Sequence, residues 1–222
     1  MGSARARPTV GDQLKRIVDV TLVLLASPVW VPALGVLVVA TRLALGRPVL
    51  FRQQRIGQFD VPFALVKLRT MTDARGADGA LLPDDRRLTR FGRFLRASSL
   101  DELPELLNVL RGEMSLVGPR PLLPQYLPLY SAKHRRRHDV LPGVTGLAQV
   151  SGRNALSWEA RLDMDVQYVR ERSLRFDVAI LFRTIRAVVR RHGISATGEA
   201  TMSAFNGYDV PKPTTSIPED TP

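Results

Sequence analysis

The chain is 222 residues long, 45% hydrophobic and 24% charged, with 16 Gly, 16 Pro and no Cys. That composition excludes collagen-like and disordered proteins, disulfide frameworks and thiolate chemistry, and the length allows one domain or at most two. Lys and Arg exceed Asp and Glu by 32 to 21, a formal charge of +11 that points to an anionic partner. The basic set is 28 Arg and 4 Lys; arginine forks suit phosphates, and a GC-rich coding bias would raise Arg as well.

After an N-terminal tail over residues 1–11, the run between Arg16 and Arg42 is 25 residues long with Asp19 as its only charge. As a straight helix it would extend roughly 37 Å, against a hydrocarbon core of about 30 Å. Its length and the lack of a small-residue cleavage site argue against a signal peptide. Ser27-Pro28 lies near its middle and Pro32 follows a turn later. Each proline removes an amide donor and presses on the carbonyl four residues back, so the helix is expected to bend or break. Arg5, Arg7, Lys15 and Arg16 precede the run, and Arg42, Arg47, Arg52 and Arg55 follow it. By the positive-inside rule both ends then prefer the cytoplasm. A break at Ser27-Pro28 leaves arms of about ten and thirteen residues, roughly 15 to 20 Å each, which reach the bilayer centre and return. Residue physics leaves two forms open: a re-entrant helix-break-helix and a proline-kinked transmembrane helix.

Beyond Arg42 the pattern predicts strands over 48–53 and 62–69 around a turn near Gly57, with Lys67 and Arg69 on one face of the second. Residues 73–85 are polar, carry Gly76 and Gly79, and predict a loop. Helices are predicted over 88–97, 100–110, 121–130, 158–171 and 177–192. The last has Asp177 in its first turn, Arg190, Arg191 and His192 in its last, and Gly193 beyond. From residue 199 the chain reads as a loose tail without a role. The fold class expected is α+β, mainly helical, with a small β-hairpin.

Basic clusters occur at Arg86, Arg87, Arg90, Arg93 and Arg96, and at Arg135, Arg136 and Arg137. Near a membrane segment such clusters attract anionic head groups at about 1 kcal/mol per cation; a solvated positive face explains them equally. No nucleic-acid recognition motif or aromatic platform accompanies them.

The chemistry concentrates in RASSLDELPELLNVLRGEMSLVGPRP, residues 96–121. Ser98 or Ser99 is a natural N-cap for the helix predicted from residue 100, and Ser99-x-x-Glu102 has the form of a capping box. The same placement has a functional meaning. Free amides and the helix dipole favour a phosphate there and keep a neighbouring carboxylate ionised and ready as a nucleophile. Asp101 and Glu102 would point about 100° apart, so one can attack while the other holds a cation or handles a proton. Mg²⁺ is the natural companion of carboxylates and a diphosphate, and Arg96 and Arg120 are placed to grip phosphate oxygens.

The strings SLDELPELLNVLRGEMSLVGPRPLL, LPGVTGLAQVSGRN and SWEARLDMDVQYV, with KRIVDVTLVLLASP, FRQQRIGQ and LVKLRTM ahead of them, resemble the bacterial sugar transferases, the monotopic phosphoglycosyl transferases, over residues 12–192. The resemblance implies a re-entrant membrane helix over 12–45, broken at Ser27 and Pro28, and a cytoplasmic catalytic domain over 46–198 on the bacterial inner membrane. It implies transfer of a sugar phosphate from a UDP-sugar to undecaprenyl phosphate with release of UMP, the first membrane step of glycoconjugate assembly. Asp101 would be the nucleophile, passing through an aspartyl phosphosugar, and Glu102 would complete the dyad and help Asp101 bind Mg²⁺. Lys67, Arg96, Arg120 and Asp165 fall on family motif positions, and Arg69 and Arg153 join them as candidate substrate and phosphate ligands. Each has a plainer reading. Lys67 and Arg69 suit a solvated strand face, Arg120 a turn fixed by its prolines, and Asp165 a pair with Arg161; of Asp163 and Asp165 only one is expected to reach the site. Glu105 stands where the family often has Gln, and Leu68 where Phe is common. The partners implied are UDP-sugar, undecaprenyl phosphate and anionic lipids, with no nucleic acid and a homodimer left open. The chain looks like a minimal form, without the extra spans of larger relatives.

Overall fold

In the computed structural model, residues 9–152, 156–190 and 205–208 are described. The apolar run forms two helices, α1 (Val10–Leu25) and α2 (Ser27–Leu45), which meet at Ala26. The break falls where Pro28 enters the first turn of α2, a position that has no amide bond to lose. Trp30 crosses the junction, its Nε1 donating to the Val23 carbonyl at 2.9 Å. Pro32, expected to bend the run, sits inside α2 without interrupting it. Thr9 starts α1 with a capping box to Asp12.

The outer faces of both helices are bare and apolar, with Ile17, Leu25, Val29, Val36, Val39 and Leu43 exposed. Their other sides are tied to the body. Arg16 donates to the Val109 and Leu110 carbonyls at 2.5 and 3.0 Å. Asp19 is buried and accepts from Ser115 Oγ at 2.6 Å, while Lys15 reaches Asp177 at 2.7 Å. At the far end Arg69 donates to the Leu45 carbonyl.

The body begins with an antiparallel hairpin, β1 (Leu50–Ile56) and β2 (Pro62–Leu68), in the register Leu50 opposite Leu68. Period-2 patterning turns Phe63 and Leu65 into a core cluster with Val23, Trp30, Val109 and Met114. After the loop come α3 (Asp84–Arg87) and α4 (Arg90–Ala97). Gly92 lets α4 pass close to the end of the hairpin, since a Cβ there would lie 1.9 Å from the Thr70 carbonyl.

Residues 100–110 do not form one helix. A single 3-10 turn, Leu100–Glu102, leads through Leu103 and Pro104 into α5 (Glu105–Arg111), because a proline at 104 is tolerated only at a helix start. The buried Asn108 of α5 acts as a neighbour for the open edge of β2, accepting from Val66 N at 3.2 Å and donating to the Ala64 carbonyl at 2.8 Å. Two short parallel strands follow, β3 (Ser115–Val117) and β4 (Gly143–Thr145). Between them lie a 3-10 stretch, Pro124–Leu129, in place of the helix expected over 121–130, then α6 (Ala132–Arg135) and a 3-10 turn, Arg136–Asp139. The chain continues with α7 (Leu147–Val150), α8 (Trp158–Glu171) and α9 (Leu174–Arg190).

The fold is thus mainly helical with two small sheets. His192 and Gly193, expected to close the last helix, lie outside the described residues, as do residues 199–204 and 209–222 of the expected tail. Phe205–Tyr208, in the same stretch, corrects that expectation. Phe205 is 3% exposed and packs with Tyr126, Tyr130, Trp158 and Tyr208, while the Tyr208 hydroxyl meets His134 Nδ1 at 2.6 Å. Aromatic burial of that size outweighs the cost of ordering a short segment.

Candidate active site

Neither serine caps the turn that carries the two acids. Ser98 ends α4, its hydroxyl donating back to the Phe94 carbonyl at 2.8 Å, and Ser99 takes a left-handed conformation at φ 57° with no side-chain cap. The capping box expected between Ser99 and Glu102 is absent, and Glu102 is free to face the other way.

Glu102 Oε1 accepts from Lys67 Nζ and from Arg120 Nη2, both at 2.6 Å. Lys67 also lies 3.1 Å from Glu105 Oε1. Lys67 therefore faces the acids and is no solvated strand residue. Asp101, 7% exposed, makes no hydrogen bond or ion pair to any side chain among the described residues. Two adjacent acids thus sit in opposite states, one clamped and one uncommitted.

Their protonation follows from those partners. Burial pushes Asp101 up to about 6, helped by the negative charge of Glu102 and opposed by Lys67, Arg120 and Arg96. Burial acts on Glu102 in the same direction, but Arg120 and Lys67 outweigh it and hold its carboxyl well below the usual carboxylate range. The charge of Glu102 in turn holds Arg120 above the ordinary arginine value. Glu105, 1% exposed, is pushed up to about 7 by burial and then by Glu102.

Arg120 is placed by backbone. Gly118, just beyond β3, meets Gly143 at the start of β4 and Gly146 just beyond its end. A Cβ on Gly143 would lie 2.1 Å from Gly118 N, and one on Gly146 would lie 2.1 Å from the Gly118 carbonyl oxygen. Arg96, on α4, donates to Thr70 Oγ1 at 3.1 Å and lends its charge to Asp101.

Three of the sequence candidates do not reach the acids. Arg69 binds the Leu45 carbonyl and Asp73, the latter at 2.9 Å, and so ties α2 to the hairpin. Asp165 is buried against Arg137, with Nη2 to Oδ2 at 2.8 Å, and the charge of Arg161 adds to that of Arg137. Asp163 turns outward to His134 and Lys133. Arg153 lies outside the described residues. Sequence reasoning passed over Arg137, which it grouped with Arg135 and Arg136 as one basic surface cluster; Arg137 is buried.

Among the described residues no three acidic or imidazole side chains converge on a metal position. Asp101 and the second oxygen of Glu102 accept no side-chain bond among the described residues. One or two carboxylates with the rest of the shell from phosphate and water is the usual way Mg²⁺ is held, so this donor set fits that ion only together with an anionic substrate.

An uncommitted buried carboxylate among Lys67, Arg96 and Arg120 is what a group-transfer enzyme needs to attack a strongly anionic substrate. The chain belongs to the bacterial sugar transferase family, whose sequence profile matches residues 10–191. It is 49% identical over 194 residues to an uncharacterized sugar transferase, EpsL, of Bacillus subtilis, covering 87% of this chain and 96% of that one. It is 41% identical over 189 residues to the UDP-glucose:undecaprenyl-phosphate glucose-1-phosphate transferase of Caulobacter vibrioides, covering 80% of this chain and 70% of that one. With the UDP-galactose-lipid carrier transferase of Erwinia amylovora it shares 40% over 197 residues, 81% of this chain and 41% of the relative.

Proposed function

We propose that this protein transfers a sugar phosphate from a UDP-sugar to undecaprenyl phosphate by two displacements at phosphorus. The observation that carries the reading is the contrast between Asp101, buried with no side-chain partner among the described residues, and Glu102, clamped by Lys67 and Arg120. In the first displacement an Asp101 oxygen attacks the sugar-bearing phosphorus, the bond to the bridging oxygen breaks, and UMP leaves. In the second, a phosphate oxygen of the lipid attacks the same phosphorus, the bond to Asp101 breaks, and the carboxylate is restored as the lipid diphosphate sugar departs. Neither step needs an oxidant or a second nucleophile.

Arg120 and Arg96 serve as cations for the diphosphate, and Lys67 keeps Glu102 ionised and oriented. Mg²⁺, held by Asp101 and Glu102 with the substrate, would neutralise charge on the diphosphate. Asp101 remains mostly ionised above about pH 6, which suits a nucleophile at neutral pH.

The lipid substrate requires contact with a bilayer. Ser27–Leu45 is long and apolar enough to cross one, and its outer face is bare. Both flanks of the apolar run are tied to the same body, Lys15 and Arg16 on one side and Leu45 on the other. That supports a run entering and leaving by one face of the membrane, with the body on the cytoplasmic side where the flanking Arg and Lys prefer to lie. Anionic lipids and the basic clusters would add to the attachment.

The test is a trapping experiment. Protein in nanodiscs with Mg²⁺ and radiolabelled UDP-glucose or UDP-galactose, and no lipid acceptor, should release UMP and retain label; mass spectrometry should place the added sugar phosphate on Asp101. Asp101→Asn should retain none. Turnover at the normal rate in Asp101→Asn would refute the assignment.

A further inference from the structure

Arg137 is the largest fully buried side chain among the described residues. Four of the five N–H groups of its guanidinium are engaged. Nε and Nη2 donate to Asp165 Oδ2 at 3.0 and 2.8 Å, Nη2 also donates to the Arg120 carbonyl at 2.5 Å, and Nη1 meets His138 Nε2 at 3.3 Å. The Tyr130 ring centroid lies 5.8 Å from its central carbon. His138 Nδ1 is 2.5 Å from Asp60 Oδ1, so the partners assign the tautomer: Nδ1–H donates to Asp60 and Nε2 accepts from Arg137. Asp60 belongs to the hairpin tip, where Phe59 and Asp60 both hold left-handed φ of 55° and 61°, and Arg135 Nη2 grips it at 2.7 Å.

A buried ion pair of this kind is a poor stabiliser. Apolar side chains of the same volume would serve the fold as well or better, because the desolvation of two charges offsets their attraction. An apolar side chain could not, however, hold the Arg120 carbonyl. The four carbonyls from Pro119 to Leu122 are each gripped by a different donor. Gly143 N takes Pro119 at 3.0 Å, Arg137 takes Arg120, Arg55 takes Pro121 at 3.4 Å, and Ile56 N takes Leu122 at 3.1 Å. Two of these donors are backbone groups of the sheets and two are arginine side chains. Arg137 is the one that acts on the residue whose side chain clamps Glu102.

We infer that Arg137, oriented by Asp165 and His138, is a positioning residue that sets the backbone of Arg120, so that Asp165 serves the reaction through Arg137 and Arg120 and does not touch substrate. This rests on the reading of the site given above. The consequence is kinetic: a displaced Arg120 still leaves a folded site and a cationic mouth, but the clamp on Glu102 loosens.

The experiment is a double-mutant cycle on the full chain in nanodiscs, measuring kcat and KM for UMP release with UDP-glucose or UDP-galactose, whichever turns over, together with the thermal midpoint of each variant. Arg137→Lys keeps the charge and loses the fork. It should lower kcat about 100-fold, the scale of an ångström-sized misplacement, with KM changed far less. Asp165→Asn, which preserves shape, should lower kcat in the same direction, and it replaces Arg137→Lys in the cycle if that variant does not fold. Arg120→Lys should also be impaired, and the double variant Arg120→Lys/Arg137→Lys should be no slower than Arg120→Lys alone. Losses that multiply in the double variant, or a folded Arg137→Lys protein with unchanged kcat, would overturn the inference. Full activity in Arg120→Lys would instead overturn the role of Arg120 in the site itself.

Discussion

Replacing Glu105 by Gln should stabilise the protein at alkaline pH and leave it unchanged in acid. Glu105 is 1% exposed, and burial followed by the charge of Glu102 raises its carboxyl from 4.5 to about 7. A displacement of that size is roughly 3 kcal/mol between the two protonation states, at about 1.4 kcal/mol for each tenfold. The sign follows from linkage. An acid whose folded pKa exceeds its unfolded one contributes fully below pH 4.5 and loses that contribution as pH climbs through 7, because the charged form is the one the interior resists. Glutamine mimics the protonated acid at every pH, and Lys67 keeps its 2.6 Å contact to Glu102. Thermal midpoints in nanodiscs should therefore coincide near pH 4.5 and separate by roughly 6 to 12 °C in favour of Glu105→Gln at pH 8, taking about 2 to 4 °C per kcal/mol for a chain of this size. A difference that fails to grow with pH, or a variant less stable at pH 8, would show that Glu105 is not a strained buried acid.

Two further substitutions probe the framework. Asp19→Ala should lower the thermal midpoint by about 5 °C, because it removes the buried 2.6 Å bond from Ser115 Oγ, a loss of about 2 kcal/mol even though that hydroxyl keeps the Val117 carbonyl as an acceptor at 2.9 Å; an unchanged midpoint would mean that α1 is not docked through this bond. Phe205→Ala should cost about 3 to 5 kcal/mol and roughly 10 °C, since the ring is 3% exposed among four aromatic neighbours; a shift below about 2 °C would place Phe205 outside the cooperative core.

Local signals carried much of this architecture. Alternation in residues 62–68 located β2, a serine-proline pair located the junction of α1 and α2, and the helix expected over 158–171 is α8. What periodicity lacks is partner choice. Arg135, Arg136 and Arg137 are indistinguishable as letters, yet the first binds the hairpin tip, the second stays near Asp139 at the surface, and the third is enclosed with Asp165. Arg69 looked equivalent to Lys67 two residues earlier, but β2 ends at Leu68, and Arg69 turns to the end of α2. Residues 100–110 read as one helix because Leu and Glu favour it; Pro104 divides the segment, and the left-handed Ser99 ahead of it frees Glu102 from capping. The tail beyond residue 198 read as loose because low-complexity flanks hid the two aromatics that anchor it.

The pairing of unlike acids also explains why the site needs so many cations. Burial by itself raises the pKa of both Asp101 and Glu102 and so favours their neutral forms. Lys67 and Arg120 converge on Glu102 and hold it ionised, and the resulting negative charge raises the basicity of Asp101 next to it. A stronger base is a better nucleophile, provided that it stays charged, and Lys67, Arg120 and Arg96 together limit the rise to about 6. Divergent environments for two neighbouring carboxyls separate their roles, and here the separation depends on where one guanidinium points. That guanidinium is on a loop without helix or strand of its own, so its aim has to come from elsewhere: from glycines that allow β4 to close on Gly118, and from a buried arginine behind it. The contrast between Asp101 and Glu102 thus traces back to packing beside two paired strands of three residues each.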